Sequence, residues 1–91
     1  MKFKVGDKVR VRKWEDMENE FGLDADGDIN CKYSFVNDMS RYCGQVVTIK
    51  NVFSGHYYIE EDKKFDSISW TWTDDMFESE VVKEDELELI E

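Results

Sequence analysis

Ninety-one residues with a mass of 10.9 kDa make one small domain and leave no room for two cores with a cleft between them. Lys and Arg number 12 against 22 Asp and Glu, a formal net charge of −10, which counts against a general nucleic-acid binder because such proteins neutralise phosphates with cations. The chain is too rich in apolar (41%) and aromatic (14%) residues for wholesale disorder, yet nowhere has the ~20 apolar residues of a transmembrane helix.

In chain order, the opening MKFKVGDKVRVRK breaks every apolar step with charge, so it does not read as a signal peptide, and a cytoplasmic location is expected. Within it, Val9 and Val11 alternate with Lys8, Arg10 and Arg12, the pattern of a strand with one wet face. Trp14, Met17 and Phe21 recur at i, i+3 and i+7 and predict a short helix over residues 14–21, with its acids in water and Gly22 closing it. Residues 22–30, GLDADGDIN, show no apolar period and read as the least ordered stretch.

A second helical turn is expected over residues 37–43, carried by Met39 and by Tyr42 or Cys43, with Gly44 as its stop. GQVVTIKNVF is the strongest strand, dense in β-branched residues, and Ser54-Gly55 turns it into a second strand at HYYIEED. The polar Asp62-Lys63-Lys64 reverses the chain before SISWTW, where Ile68, Trp70 and Trp72 alternate with Ser69 and Thr71. Thr73-Asp74-Asp75 begins a single helical or 3₁₀ turn, with Asp75 and Glu78 at capping-box spacing, and Val81-Val82 opens a last strand. Residues 83–91 read as an acidic end prone to fraying.

About five short antiparallel strands at this length favour an all-β barrel, because closure covers the edges. The thirty-residue gap before Val46 requires a long first connection plugged by helix. The charge is uneven along this plan. Residues 1–13 carry six bases and one acid, residues 14–30 carry seven acids and no base, and residues 51–91 have a net charge of −10. A basic first strand therefore faces a broad negative field.

Residues with chemical potential are few. Asp24, Asp26 and Asp28 have the first three acidic positions of a calcium loop, but Ile29 stands where the loop turns on glycine and Phe35 where a bidentate Glu is required. A solvated acidic loop is the expectation there, with a specific calcium site as the minor alternative. Cys31, Cys43 and the single His56 fall one short of a zinc site, so free structural thiols and an ordinary hairpin-edge histidine are expected. Phosphate-binding glycine loops are absent from the sequence, and no nucleophile motif surrounds His56. No catalytic residue, cofactor or metal is assigned.

Aromatic residues on alternating strand positions serve either a core or a ligand, and for Trp70 and Trp72 both uses stay open. The candidate partner surface combines Trp14, Tyr57, Tyr58, Trp70 and Trp72 with the acids Asp74, Asp75 and Glu78. Aromatic centres inside an acidic rim suit a protein partner with a basic surface.

The segments KVGDKVRV, YCGQVVTIKNV, HYYIEED and WTWTDDMFE resemble small SH3-like barrel proteins of bacteriophages, prophages and Gram-positive bacteria, over roughly residues 3–82. That resemblance implies a single SH3-like domain over residues 1–91, a 3₁₀ turn before the last strand, and no enzyme. The functional expectation is a non-enzymatic interaction module that binds a basic or mixed partner. The alternatives are a DNA-mimicking inhibitor of a host defence nuclease, and a weak nucleic-acid binder using the basic first strand.

Overall fold

The computed structural model describes residues 2–65, without the side chains of 63–65, and residues 70–83. Its first strand, β1 (Lys8–Val11), follows the alternation in the sequence: Val9 and Val11 are wholly buried, Lys8 is exposed and Arg10 half-buried. A strand whose inward face carries only β-branched apolar residues belongs in the middle of a sheet, and β1 is paired on both sides. On one side lies β2 (Val46–Phe53), with Val9 opposite Val47; on the other lies β4 (Phe77–Val81), with Val11 opposite Phe77. β2 turns back into β3 (His56–Ile59), giving an antiparallel sheet in the order β3-β2-β1-β4. The turn between them needs Gly55, whose φ of 85° is costly for any residue with a Cβ.

The helix α1 (Trp14–Phe21) forms where the apolar spacing places it. Met17 is fully buried, Trp14 and Phe21 are half-buried against the core, and Gly22 ends the helix by donating its N–H to the Glu18 carbonyl at 2.8 Å. Residues 22–35 are better ordered than their composition predicts. The Asp24 carboxylate accepts the N–H groups of Asp26 (2.9 Å) and Asp28 (3.1 Å) and the Ser34 hydroxyl (3.2 Å). Ile29, wholly buried, forms isolated bridges with Leu23 and Phe35, so one apolar residue anchors an otherwise acidic loop. The expected second helical turn is a 3₁₀ helix over Asn37–Tyr42, with Met39 and Tyr42 buried.

The expectation of an all-β, closed SH3-like barrel of about five strands is overturned. The fold is a small α/β domain: an open four-stranded antiparallel sheet joined by an eight-residue α-helix. Of the strand expected over residues 67–72, the described residues 70–72 form no ladder. Residues 67–69, including Ile68, lie outside the described part, and of the remainder only Trp72 pairs, through a single bridge to Tyr57. The Trp70 N–H, instead of joining a ladder, is directed at the carboxylate of Asp62 (3.3 Å), which also accepts the Trp72 indole N–H (3.1 Å). The chain then turns through a 3₁₀ helix (Asp74–Met76) into β4, and no ladder joins β4 to β3 among the described residues.

Two boundaries also move. The HYYIEED strand stops at Ile59 because Glu60–Phe65 winds into a 3₁₀ helix, and the last strand begins at Phe77 rather than Val81. Asp75 is not engaged with Glu78 in a capping box; its carboxylate accepts the Lys32 N–H (2.7 Å) and the Thr73 hydroxyl. The acidic end expected to fray lies, from residue 84 onward, outside the described residues.

The core lies between the sheet, α1 and the connection around Ile29 and Phe35. Trp72 is at its centre, stacked on Phe77 with centroids 5.6 Å apart and met edge-on by Phe35 and Tyr42. Each fully buried large side chain of this kind contributes about 1.5–3 kcal/mol relative to exposure.

Candidate functional site

Arg12 lines a concavity between α1 and the start of β4. Arg12 directly follows β1 and reaches both α1 and the 3₁₀ turn before β4. Its Nη2 pairs with Glu20 Oε1 at 2.6 Å, its Nη1 donates to the Asp75 carbonyl at 3.2 Å, and its guanidinium lies 5.5 Å from the centre of the Phe21 ring. These contacts hold the end of α1 against the start of β4 and leave a groove of about 610 Å³ between them.

Four carboxylates line this groove: Glu20, Asp74, Asp75 and Glu78. Two cations, Lys2 and Arg12, and the rings of Phe21 and Phe77 complete it. The four acids are not equivalent. Glu20 is committed to Arg12, and Asp75 to Lys32 and Thr73. Asp74 is exposed and accepts the Tyr57 hydroxyl at 2.5 Å, while that hydroxyl accepts the Phe3 N–H at 3.0 Å. Burial, reinforced by the Asp74 carboxylate, pushes the Tyr57 phenol up to about 12, so it remains a donor and Asp74 a fixed acceptor. Glu78 is exposed and has no hydrogen-bond or ion-pair partner among the described residues. A smaller concavity of about 210 Å³ continues along β4, shares Glu78 and Ser79 with the groove, and adds Glu80. A long cationic side chain fits such a place, its stem on a ring and its head on a carboxylate.

The residues proposed from sequence as one surface are divided by the structure. Asp74, Asp75 and Glu78 meet in the groove. Tyr57 and Trp72 have no exposed surface and belong to the core. Trp14 is half-buried on α1, with its ring 6.0 Å from Phe35 and its indole N–H donated to Glu18. Trp70 is half-buried beside Tyr42, with the Arg41 guanidinium 5.8 Å from its ring centre. Tyr58 lies at the β2–β3 hairpin in a cluster with Phe53, His56 and, through His56, Tyr33. Sequence reading missed Glu20, Phe21, Arg12 and Lys2 as groove residues. A signal was present for Phe21, placed on the apolar face of α1 but assigned wholly to packing.

Of the other reactive groups, His56 packs among Tyr33, Phe53 and Tyr58 with its buried Nδ1 unpaired among the described residues. Cys31 and Cys43 are both free; burial pushes the Cys31 thiol up to about 12 and also raises Cys43. The ligand atoms of Asp24, Asp26 and Asp28 lie within 4.8 Å of one another, but Asp24 is occupied by backbone N–H groups that hold its carboxyl below the usual range. The basic residues of the first strand are largely engaged inside the fold: Lys8 donates to Thr48, Arg10 to the Gly44 carbonyl, and Arg12 to Glu20 and Asp75. No helix among the described residues is long and apolar enough to cross a membrane.

Comparisons with protein-family models, with curated proteins and with solved structures returned no match.

Proposed function

We propose that this chain is a non-enzymatic, cytoplasmic interaction module whose groove between α1 and β4 receives a basic segment of a protein partner. The observation that carries this reading is the convergence of Glu20, Asp74, Asp75 and Glu78 around Phe21 and Phe77 in one concavity. Arg12 fixes the walls and uses up Glu20, leaving Asp74 and Glu78 to meet an incoming cation. The rings supply apolar area for the stem of a Lys or Arg side chain. A negative groove on a chain of net charge −10 also steers a positive partner toward it before contact.

The double variant Asp74→Asn/Glu78→Gln tests this reading, since both side chains are exposed and both substitutions keep their shape. Titration with a capped Lys-rich peptide at low and at physiological salt is expected to show binding to the wild type that weakens with salt. The variant is expected to bind about ten-fold more weakly, with a flatter salt dependence. Equal affinity for the two proteins would contradict the assignment.

A further inference from the structure

We infer that the partner binds as an added β-strand along the open edge of β4. This deepens the groove reading above and rests on it. β4 is the terminal strand of the sheet, hydrogen-bonded to β1 on one side and to no strand on the other among the described residues. Its register against β1 slips: Val11 pairs with Phe77 and Val9 with Val81, so Glu78, Ser79 and Glu80 stand opposite Arg10 alone. As the outermost strand, β4 turns the backbone N–H and C=O groups that face away from β1 toward no strand among the described residues.

The two concavities of about 610 and 210 Å³ meet at Glu78 and Ser79 within this segment. An extended polypeptide that pairs with the outer edge of β4 passes beside these residues. Charge selects the occupant. Asp74, just before β4, and Glu78 and Glu80 on it are exposed, so a second copy of this acidic chain is repelled from the edge, as charged edge strands generally repel like strands. An extended segment with basic residues at alternate positions pairs with the edge and neutralises it.

The full chain is titrated with a capped Lys-Val-Lys-Val-Lys peptide and with its fully N-methylated counterpart, which carries the same charges and has no backbone donor. Amide hydrogen exchange is followed in both titrations. The unmethylated peptide is expected to bind at least about ten-fold more tightly and to slow exchange at Glu78, Ser79 and Glu80. Equal affinities would overturn the added-strand mode and leave the acidic groove reading standing, whereas protection confined to another part of the fold would overturn both. Binding by neither peptide would remove both.

Discussion

Trp72→Ala is expected to lower the unfolding free energy by about 3–5 kcal/mol, the range for truncating a fully buried aromatic side chain. Small domains have only about 5–15 kcal/mol in all, so the variant approaches the unfolding threshold at ordinary temperature. The size of the effect follows from position. Trp72 is wholly buried, stacks on Phe77 at a 14° interplanar angle, and meets Phe35 and Tyr42 edge-on. Truncation opens a cavity touching the sheet through Phe77, the first connection through Phe35, and the 3₁₀ helix Asn37–Tyr42 through Tyr42. It also removes the indole N–H from the buried Asp62 carboxylate. Trp72→Phe separates the two effects, because it keeps a ring but leaves Asp62 without that donor, at a cost of about 1–3 kcal/mol beyond the lost area. Urea denaturation followed by far-UV circular dichroism reads both variants. A Trp72→Ala protein within about 1 kcal/mol of the wild type would show that the core is not centred on this residue.

Asp62→Asn is expected to leave the protein at least as stable as the wild type at neutral pH, an unusual result for a change at a residue that is 1% exposed. Burial raises the Asp62 carboxyl above the ordinary aspartate value of 3.8, opposed by the Trp72 and Trp70 N–H groups and by Tyr42. Its Oδ1 and the buried Tyr42 hydroxyl lie near each other without forming a hydrogen bond of normal geometry, and burial with the nearby Asp62 charge holds the Tyr42 phenol at about 12. The folded state therefore binds this proton more tightly than the unfolded state. Stability from this residue is fully present below 3.8 and is lost as pH rises through the higher folded value. Asparagine still accepts from Trp72 and carries no charge to bury, so the variant lacks this component of the pH dependence. Asp62→Ala, in contrast, strands the indole N–H and is expected to destabilise by about 1–3 kcal/mol. Denaturation of wild type and Asn variant from pH 4 to pH 8 should show curves that diverge as pH rises, with the variant above. Parallel curves would contradict the role given to the carboxylate (the pH range being roughly that over which buried acids titrate).

The same residue explains which parts of the fold were legible in the sequence. Val9 and Val11, the Trp14–Met17–Phe21 spacing closed by Gly22, and the Ser54-Gly55 turn between dense apolar runs each specify local structure, and the corresponding elements form. Closure into a barrel depended on pairing at Trp70 and Trp72, where tertiary competition directs the Trp70 backbone and Trp72 indole N–H groups to Asp62. Within Glu60-Glu61-Asp62-Lys63-Lys64, nothing local marks the third residue as the one that turns inward to take the Trp70 and Trp72 N–H groups. In the acidic loop the Asp spacing was visible in the sequence, but the burial of Ile29 beside Phe35 was not.

The groove was half legible. Asp74, Asp75 and Glu78 lie close together in the chain and were singled out as acids beside aromatic residues. Their counterparts come from α1, from Lys2 and from Arg12 just after β1, and the strut between them joins Arg12 to Asp75 across 63 positions. Local periodicity carries no information about such a pairing. The aromatic residues first grouped with those acids were divided instead between the core and the hairpin, because alternation shows that a ring has a preferred side without showing what covers it.

Mapping amide chemical shifts of the isotope-labelled full chain during titration with the Lys-Val-Lys-Val-Lys peptide tests the central claim most directly. Engagement of the groove predicts that the largest changes fall on Glu20, Phe21, Asp74 and Glu78 to Glu80 and shrink as salt is added. Changes centred on Tyr33, Phe53 and Tyr58 at the hairpin, with the groove unperturbed, would contradict it.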